Sequence, residues 1–239
     1  MDEELIGDLR AEYQVLEGAL AGCSGPDWQR LTPAEGWTIE DSVRHLVISD
    51  RAAVLAITEG LDPLQGNGTI EPVQEQGADL LEAWRQSREE VAEAFASCAD
   101  GDRVPWGGRR MSARSLLIAR LMEVWAHGLD CFAALARPVV PSSRLRHIAW
   151  LGHKTLPHAF VVEGKTPPAD PAELRLEVRS PDGTEIWAFG PPGSRHRLTG
   201  PAIDWCRVST RRLRPGDPCR LEPEGPLAGA ALAYAKSFL

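Results

Sequence analysis

The sequence is short of lysine, has no closely spaced cysteines and lacks any long apolar run, and each shortage narrows what the protein can be. No stretch of about 20 uninterrupted apolar side chains occurs among its 239 residues, so no membrane-spanning helix is expected. The first ten residues, MDEELIGDLR, are acidic where a secretory leader would be basic and then apolar. A cytoplasmic protein is the expectation. Five cysteines, Cys23, Cys98, Cys131, Cys206 and Cys219, are scattered with no C-x-x-C spacing. That pattern argues against a disulfide framework and against a cysteine-based zinc knuckle, and it leaves free thiols. Of the 26 basic residues only 3 are lysine, a bias toward arginine usual in the products of high-GC genomes.

The net charge of −8 is unevenly placed. Residues 1–139 carry 24 acidic and 12 basic side chains, whereas residues 140–239 carry 10 acidic and 14 basic. The acidic half repels nucleic acid, and the basic half has no basic run interleaved with aromatics, so no nucleic-acid partner is expected. A small anionic ligand is compatible with the charge.

What the chain does have is helical period. Leu5, Leu9, Tyr13, Leu16 and Leu20 recur at steps of three and four and predict a first helix over 3–21. Thr38 with Asp41 three residues on resembles a capping box ahead of Ile39, Val43, Leu46, Val47 and Val54, which predicts a second helix to about Gly60. Leu80, Leu81, Trp84, Val91 and Phe95 predict a third from about Gln76 to Cys98. Ser112 can cap a fourth that ends before Pro138. Four amphipathic helices make an α-helical four-helix bundle the economical fold for 1–139. The proline cluster in RPVVPSS, where the charge balance also changes sign, marks the start of a second domain over 140–239. There a helical stretch over 143–164 precedes an alternating ELRLEVR that SPDGT turns into EIWAFG. A short helix from about Pro201 to Arg212 and a last one from Pro226 complete a small α+β domain.

The fourth helix carries an ionisable seam. Arg120, Glu123, His127 and Asp130 lie three, four and three residues apart and share one face, while Leu117, Leu121, Val124, Trp125 and Leu129 fill the others. Facing water, the seam is a solvated edge; facing the interior, its charges must be paired or bind something. Glu123 and His127 at i and i+4 can converge on one point, and His45 on the second helix, which lies off that helix's apolar arc, is the candidate third donor. Two histidines and a carboxylate leave a fourth position open on a metal, the pattern of a catalytic site, whereas an ordinary surface pair is the plain alternative. His147, His153, His158 and His196 share no face and read as structural or surface residues.

PAEGWTIEDSVRHLVISD, followed further along by RLMEVWAHGLD, resembles the mycothiol-dependent maleylpyruvate isomerase family, within the wider DinB-like four-helix metalloproteins. The resemblance includes the tryptophans Trp37 and Trp125 and spans most of the first 139 residues. It implies that His45, Glu123 and His127 bind a divalent metal, usually zinc. The second half, through TGPAIDWCRVSTRR, is similar to the sterol-carrier-like companion domain of those proteins. The likeness extends to a subgroup of uncharacterised actinobacterial metal-binding proteins, in keeping with the arginine bias, since actinobacteria are high-GC and use mycothiol.

The chemistry the resemblance implies is thiol activation. The metal lowers the pKa of a low-molecular-weight thiol, and the thiolate attacks a small electrophilic substrate. A thiolate that leaves after bond rotation makes the enzyme an isomerase; one that stays makes it a transferase. Asp130 could orient a ligand or pair with Arg120, and both are candidates for supporting the site from behind. Arg207 and Arg211, one turn apart on the short helix, are candidates for holding an anionic substrate, with a solvated helix face as the alternative. A thiol-independent metal-dependent lyase, hydrolase or cyclase in natural-product tailoring is the rival enzyme, and a non-catalytic metal-binding protein is the third reading.

Overall fold

The apolar periods of the N-terminal half fold as four long helices. The computed structural model describes residues 2–66, 68–213 and 217–238, and the chain divides into two compact units, Met1–Val139 and Val140–Leu239. In the first, α1 (Glu3–Leu20) is followed by a single turn, α2 (Gly25–Trp28), then α3 (Ile39–Thr58) and α4 (Gly77–Ser97). A two-stranded hairpin of β1 (Arg103–Trp106) and β2 (Arg109–Ser112) leads into α5 (Ala113–Ala134). The starts are fixed by capping. Thr38 and Asp41 form the reciprocal capping box of α3, and the Ser112 hydroxyl accepts the Ser115 N–H at the head of α5.

α3 packs on α4 and α5, and α1 packs on the same two helices, so the four share one core. Leu9, Leu16, Val43, Leu46, Leu117 and Leu121 are among its fully buried members, and their burial at about 25 cal/mol per Å² is what turns marginal helical propensity into stable helices. The hairpin is absent from the sequence reading. Its turn is Gly107–Gly108, both at positive φ, the two-residue geometry that matches strand twist, and the Asp62 carboxylate accepts both glycine N–H groups at 3.0 and 2.7 Å.

In the second unit the stretch over 143–164 forms two helices, α6 (Leu145–Lys154) and α7 (Leu156–Val162), broken where Pro157 enters the first turn of α7. Strands β3 (Arg175–Arg179) and β4 (Ile186–Phe189) make the expected antiparallel hairpin. β5 (Arg197–Pro201), α8 (Ala202–Ser209), β6 (Glu222–Glu224) and α9 (Pro226–Tyr234) follow. The sheet order is β4-β3-β5-β6, with β3 and β5 parallel and the other pairs antiparallel. Leu176, Val178 and Leu198 are buried on one sheet face, and Trp205 of α8 donates to the Ala149 carbonyl of α6 at 3.0 Å. No helix among the described residues is long and apolar enough to cross a membrane.

Candidate metal centre

α3 and α5 bring His45, Glu123 and His127 together. One ligand atom from each lies within 4.8 Å of the others. The same Glu123 oxygen, Oε2, is 3.2 Å from His45 Nε2 and 3.4 Å from His127 Nε2. The side chains grade from 9% exposed at His127 through 20% at Glu123 to 34% at His45, so the cluster opens to solvent on the α3 side. Burial alone would raise the Glu123 carboxyl, but hydrogen bonds from both histidines, with the charges of His127 and Arg120, outweigh it and hold it well below the usual carboxylate range. Glu123 is therefore an anion at neutral pH. Two imidazoles and a carboxylate are donors that suit Zn2+ and leave a position for an exogenous ligand, so the residues present fit a divalent ion.

His127 is oriented from three directions. Its Nε2 faces Glu123, its Nδ1 lies 3.5 Å from Asp130 Oδ2, and its ring stacks on Trp37 with centroids 5.4 Å apart and planes 8° apart. Trp37 also meets the His45 ring edge-on at 5.3 Å. The tryptophan is placed by a tight strap before α3, in which the Thr32 N–H donates to the Trp37 carbonyl at 2.7 Å and Gly36 turns the chain at φ 77°. The motif around Trp37 is visible in the sequence; its stacking on the later histidine is not.

Arg120 belongs to a different set of contacts from the rest of its seam. Asp130 faces His127, and the Arg120 Nε donates instead to Asp50 Oδ1 of α3 at 3.1 Å. Its Nη2 lies equally close to that oxygen but off the hydrogen-bond direction, so the pair is an ion pair held by one aligned hydrogen bond. Tyr13 of α1 donates to the same carboxylate at 3.0 Å, and the Ser87 hydroxyl of α4 lies 3.5 Å from its other oxygen. Burial raises the Asp50 carboxyl, with Arg120 the main counterweight. Neither Asp50 nor Tyr13 stood out in the sequence, where each looks like an ordinary member of its helix.

The pairing of Arg207 with Arg211 on one helix face is corrected. α8 ends at Ser209, and Arg211 follows in a left-handed conformation, φ 59°, that turns it away from the helix. It donates to the Ala233 and Tyr234 carbonyls at 3.4 and 3.3 Å and lies 3.4 Å from Glu163, while Arg207 lies 3.8 Å from Asp217. Arg211 thus ties the end of α8 to the end of α9. Cys131, one turn past His127, is fully buried, and burial pushes its thiol up, which keeps it protonated.

This chain is similar to proteins of one family. The sequence model described as the mycothiol maleylpyruvate isomerase N-terminal domain matches residues 9–132, a span that contains all three clustered residues. Two uncharacterized proteins from strains of Mycobacterium tuberculosis are each 38% identical over 220 residues, covering 87% of this chain and 84% of theirs. Crystal structures of the mycothiol-dependent maleylpyruvate isomerase and of a mutant of it share the fold. Each has a TM-score of 0.60 at 18% identity, covering 94% of this chain and 95% of the other.

Proposed function

The chain belongs to the mycothiol maleylpyruvate isomerase family, and from that premise we propose that it is a metal-dependent enzyme working with mycothiol. In this reading an activated low-molecular-weight thiol isomerises, or is transferred to, a small electrophilic substrate in the cytoplasm. The observation that carries it is the convergence of His45, Glu123 and His127 on one partly open point. The helical unit then serves as a DinB-like metal-binding bundle and the second unit as its sterol-carrier-like companion.

A divalent ion, zinc by donor type, would be held by His45, Glu123 and His127 and would lower the pKa of a thiol beside it. The chain's own residues prepare that point. Glu123 supplies the anionic donor, already ionised at neutral pH. Asp130 beside Nδ1 of His127 favours a proton on that nitrogen, so Nε2 is the nitrogen that would exchange its hydrogen bond to Glu123 for the metal. Trp37 stacks on the His127 ring and meets the His45 ring edge-on, which helps to hold both imidazoles in place. The protonated, buried Cys131, one turn past His127, provides no competing thiolate there.

Calorimetric titration of the zinc-loaded protein with mycothiol tests the thiol. One-to-one binding that disappears on metal removal is expected. No binding with the metal in place would transfer the same three donors to a thiol-free lyase, hydrolase or cyclase. A second expectation concerns Asp130. Asp130→Asn removes the charge behind His127 but keeps its size, and should retain the ion while lowering metal affinity or turnover by about 10 to 100-fold. Both quantities at wild-type level would remove Asp130 from the site.

A further inference from the structure

Asp50 is 0% exposed in the middle of α3, and all four long helices reach it: Tyr13 from α1, Ser87 from α4 and Arg120 from α5. Stability does not account for such a group. A buried ion pair loses in desolvation much of what it gains in attraction, and well-packed apolar side chains of similar volume commonly do as well or better. What the network adds over apolar packing is direction.

The direction falls on the two helices that carry the site. Along α3 the step from His45 to Asp50 is five residues forward, and along α5 the step from Glu123 to Arg120 is three residues back. The helices are therefore antiparallel, and the two contacts are consecutive rungs of one interface, roughly 4.5 to 7.5 Å apart at 1.5 Å per residue. Around them α3 and α5 bury aliphatic side chains, among them Val43, Leu46, Val47, Leu117, Leu121 and Val124. Apolar burial is non-directional and allows small slides between helices. Metal ligands tolerate deviations of only about 0.2 Å. An aligned hydrogen bond one rung away supplies what the aliphatic surface cannot.

We infer that Asp50, with Arg120 and Tyr13, is a positioning lock that fixes the register of α3 against α5 and so holds His45 opposite Glu123 and His127. The inference rests on the metal-site reading above. The three residues touch neither ion nor substrate; they act through the helices, and Arg120 also through its charge near Glu123.

The test is titration of the full chain with Co2+, followed by visible d–d absorption, in wild type, in Glu123→Ala and in a triple variant carrying Tyr13→Phe, Asp50→Leu and Arg120→Met. The triple variant removes the network without leaving one partner buried alone. It should unfold as cooperatively as wild type, yet bind Co2+ about 10 to 100-fold more weakly with shifted bands, the range seen when support behind metal ligands is lost. Phe95→Leu, a core truncation on α4, serves as the control and should lower stability with Co2+ affinity unmoved. Wild-type affinity and spectrum in the triple variant overturn the inference, as does an equal loss in Phe95→Leu. If the triple variant does not fold, Asp50→Asn is read instead, and unchanged Co2+ binding there overturns it too. The two readings fail separately. No Co2+ binding by wild type, or full binding by Glu123→Ala, defeats the metal site itself, whereas normal wild-type binding with an unaffected triple variant defeats the lock alone.

Discussion

Asp50→Ala is expected to destabilise the helical unit by about 3 to 5 kcal/mol, because it leaves the Arg120 guanidinium buried without its counter-charge. The Tyr13 hydroxyl loses its acceptor in the same step. Against a total stability of about 5 to 15 kcal/mol for a typical domain, that is a large share. Urea unfolding followed by circular dichroism measures it. An exposed pair gives the contrast: Arg10 lies 3.3 Å from Glu89 with both side chains about half exposed, and there Glu89→Gln should cost about 1 kcal/mol or less. If Asp50→Ala cost no more than Glu89→Gln, the Arg120 guanidinium would not depend on Asp50 as its buried counter-charge.

Asp50 also shows where sequence reasoning stops. The four long helices follow from the spacing of Leu, Val and Phe, and their starts from Thr38, Asp41 and Ser112, because those signals are local. The seam of Glu123, His127 and Asp130 is legible for the same reason: three and four residues are helical neighbours. Asp50 acquires its role from residues 37 positions away in either direction and 70 further on, and no local period encodes that coincidence. Arg120 was visible in the seam, but its true partner was not. The strands β5 and β6, RLTGP and EPE, contain glycine or proline and no apolar alternation; they are strands because β3 and β5 offer them edges. Arg211 looked helical in spacing and is not, since the chain enters the left-handed region two residues past the end of α8.

The second large effect concerns the choice between two carboxylates on one helix. Glu123→Gln keeps the side chain's size and its hydrogen-bonding reach to His45 and His127 but removes the anion that both imidazoles face. Metal affinity should fall sharply, and thiol binding with it. The loss should exceed the 10 to 100-fold expected of Asp130→Asn, since a direct ligand contributes more than the group orienting one. Secondary structure should persist in both variants, because Glu123 lies outside the aliphatic core that holds α3 and α5 together. The reverse order, with Asp130→Asn losing the ion and Glu123→Gln keeping it at full affinity and activity, would place the metal one turn further along α5.

The central claim is that His45, Glu123 and His127 together hold one divalent ion. Metal content of the purified full chain after exhaustive dialysis, measured by mass spectrometry beside His45→Ala and Glu123→Ala, tests it most directly. About one zinc per chain in wild type and a small fraction of that in either variant is the predicted result. Wild-type stoichiometry retained in both variants would contradict it.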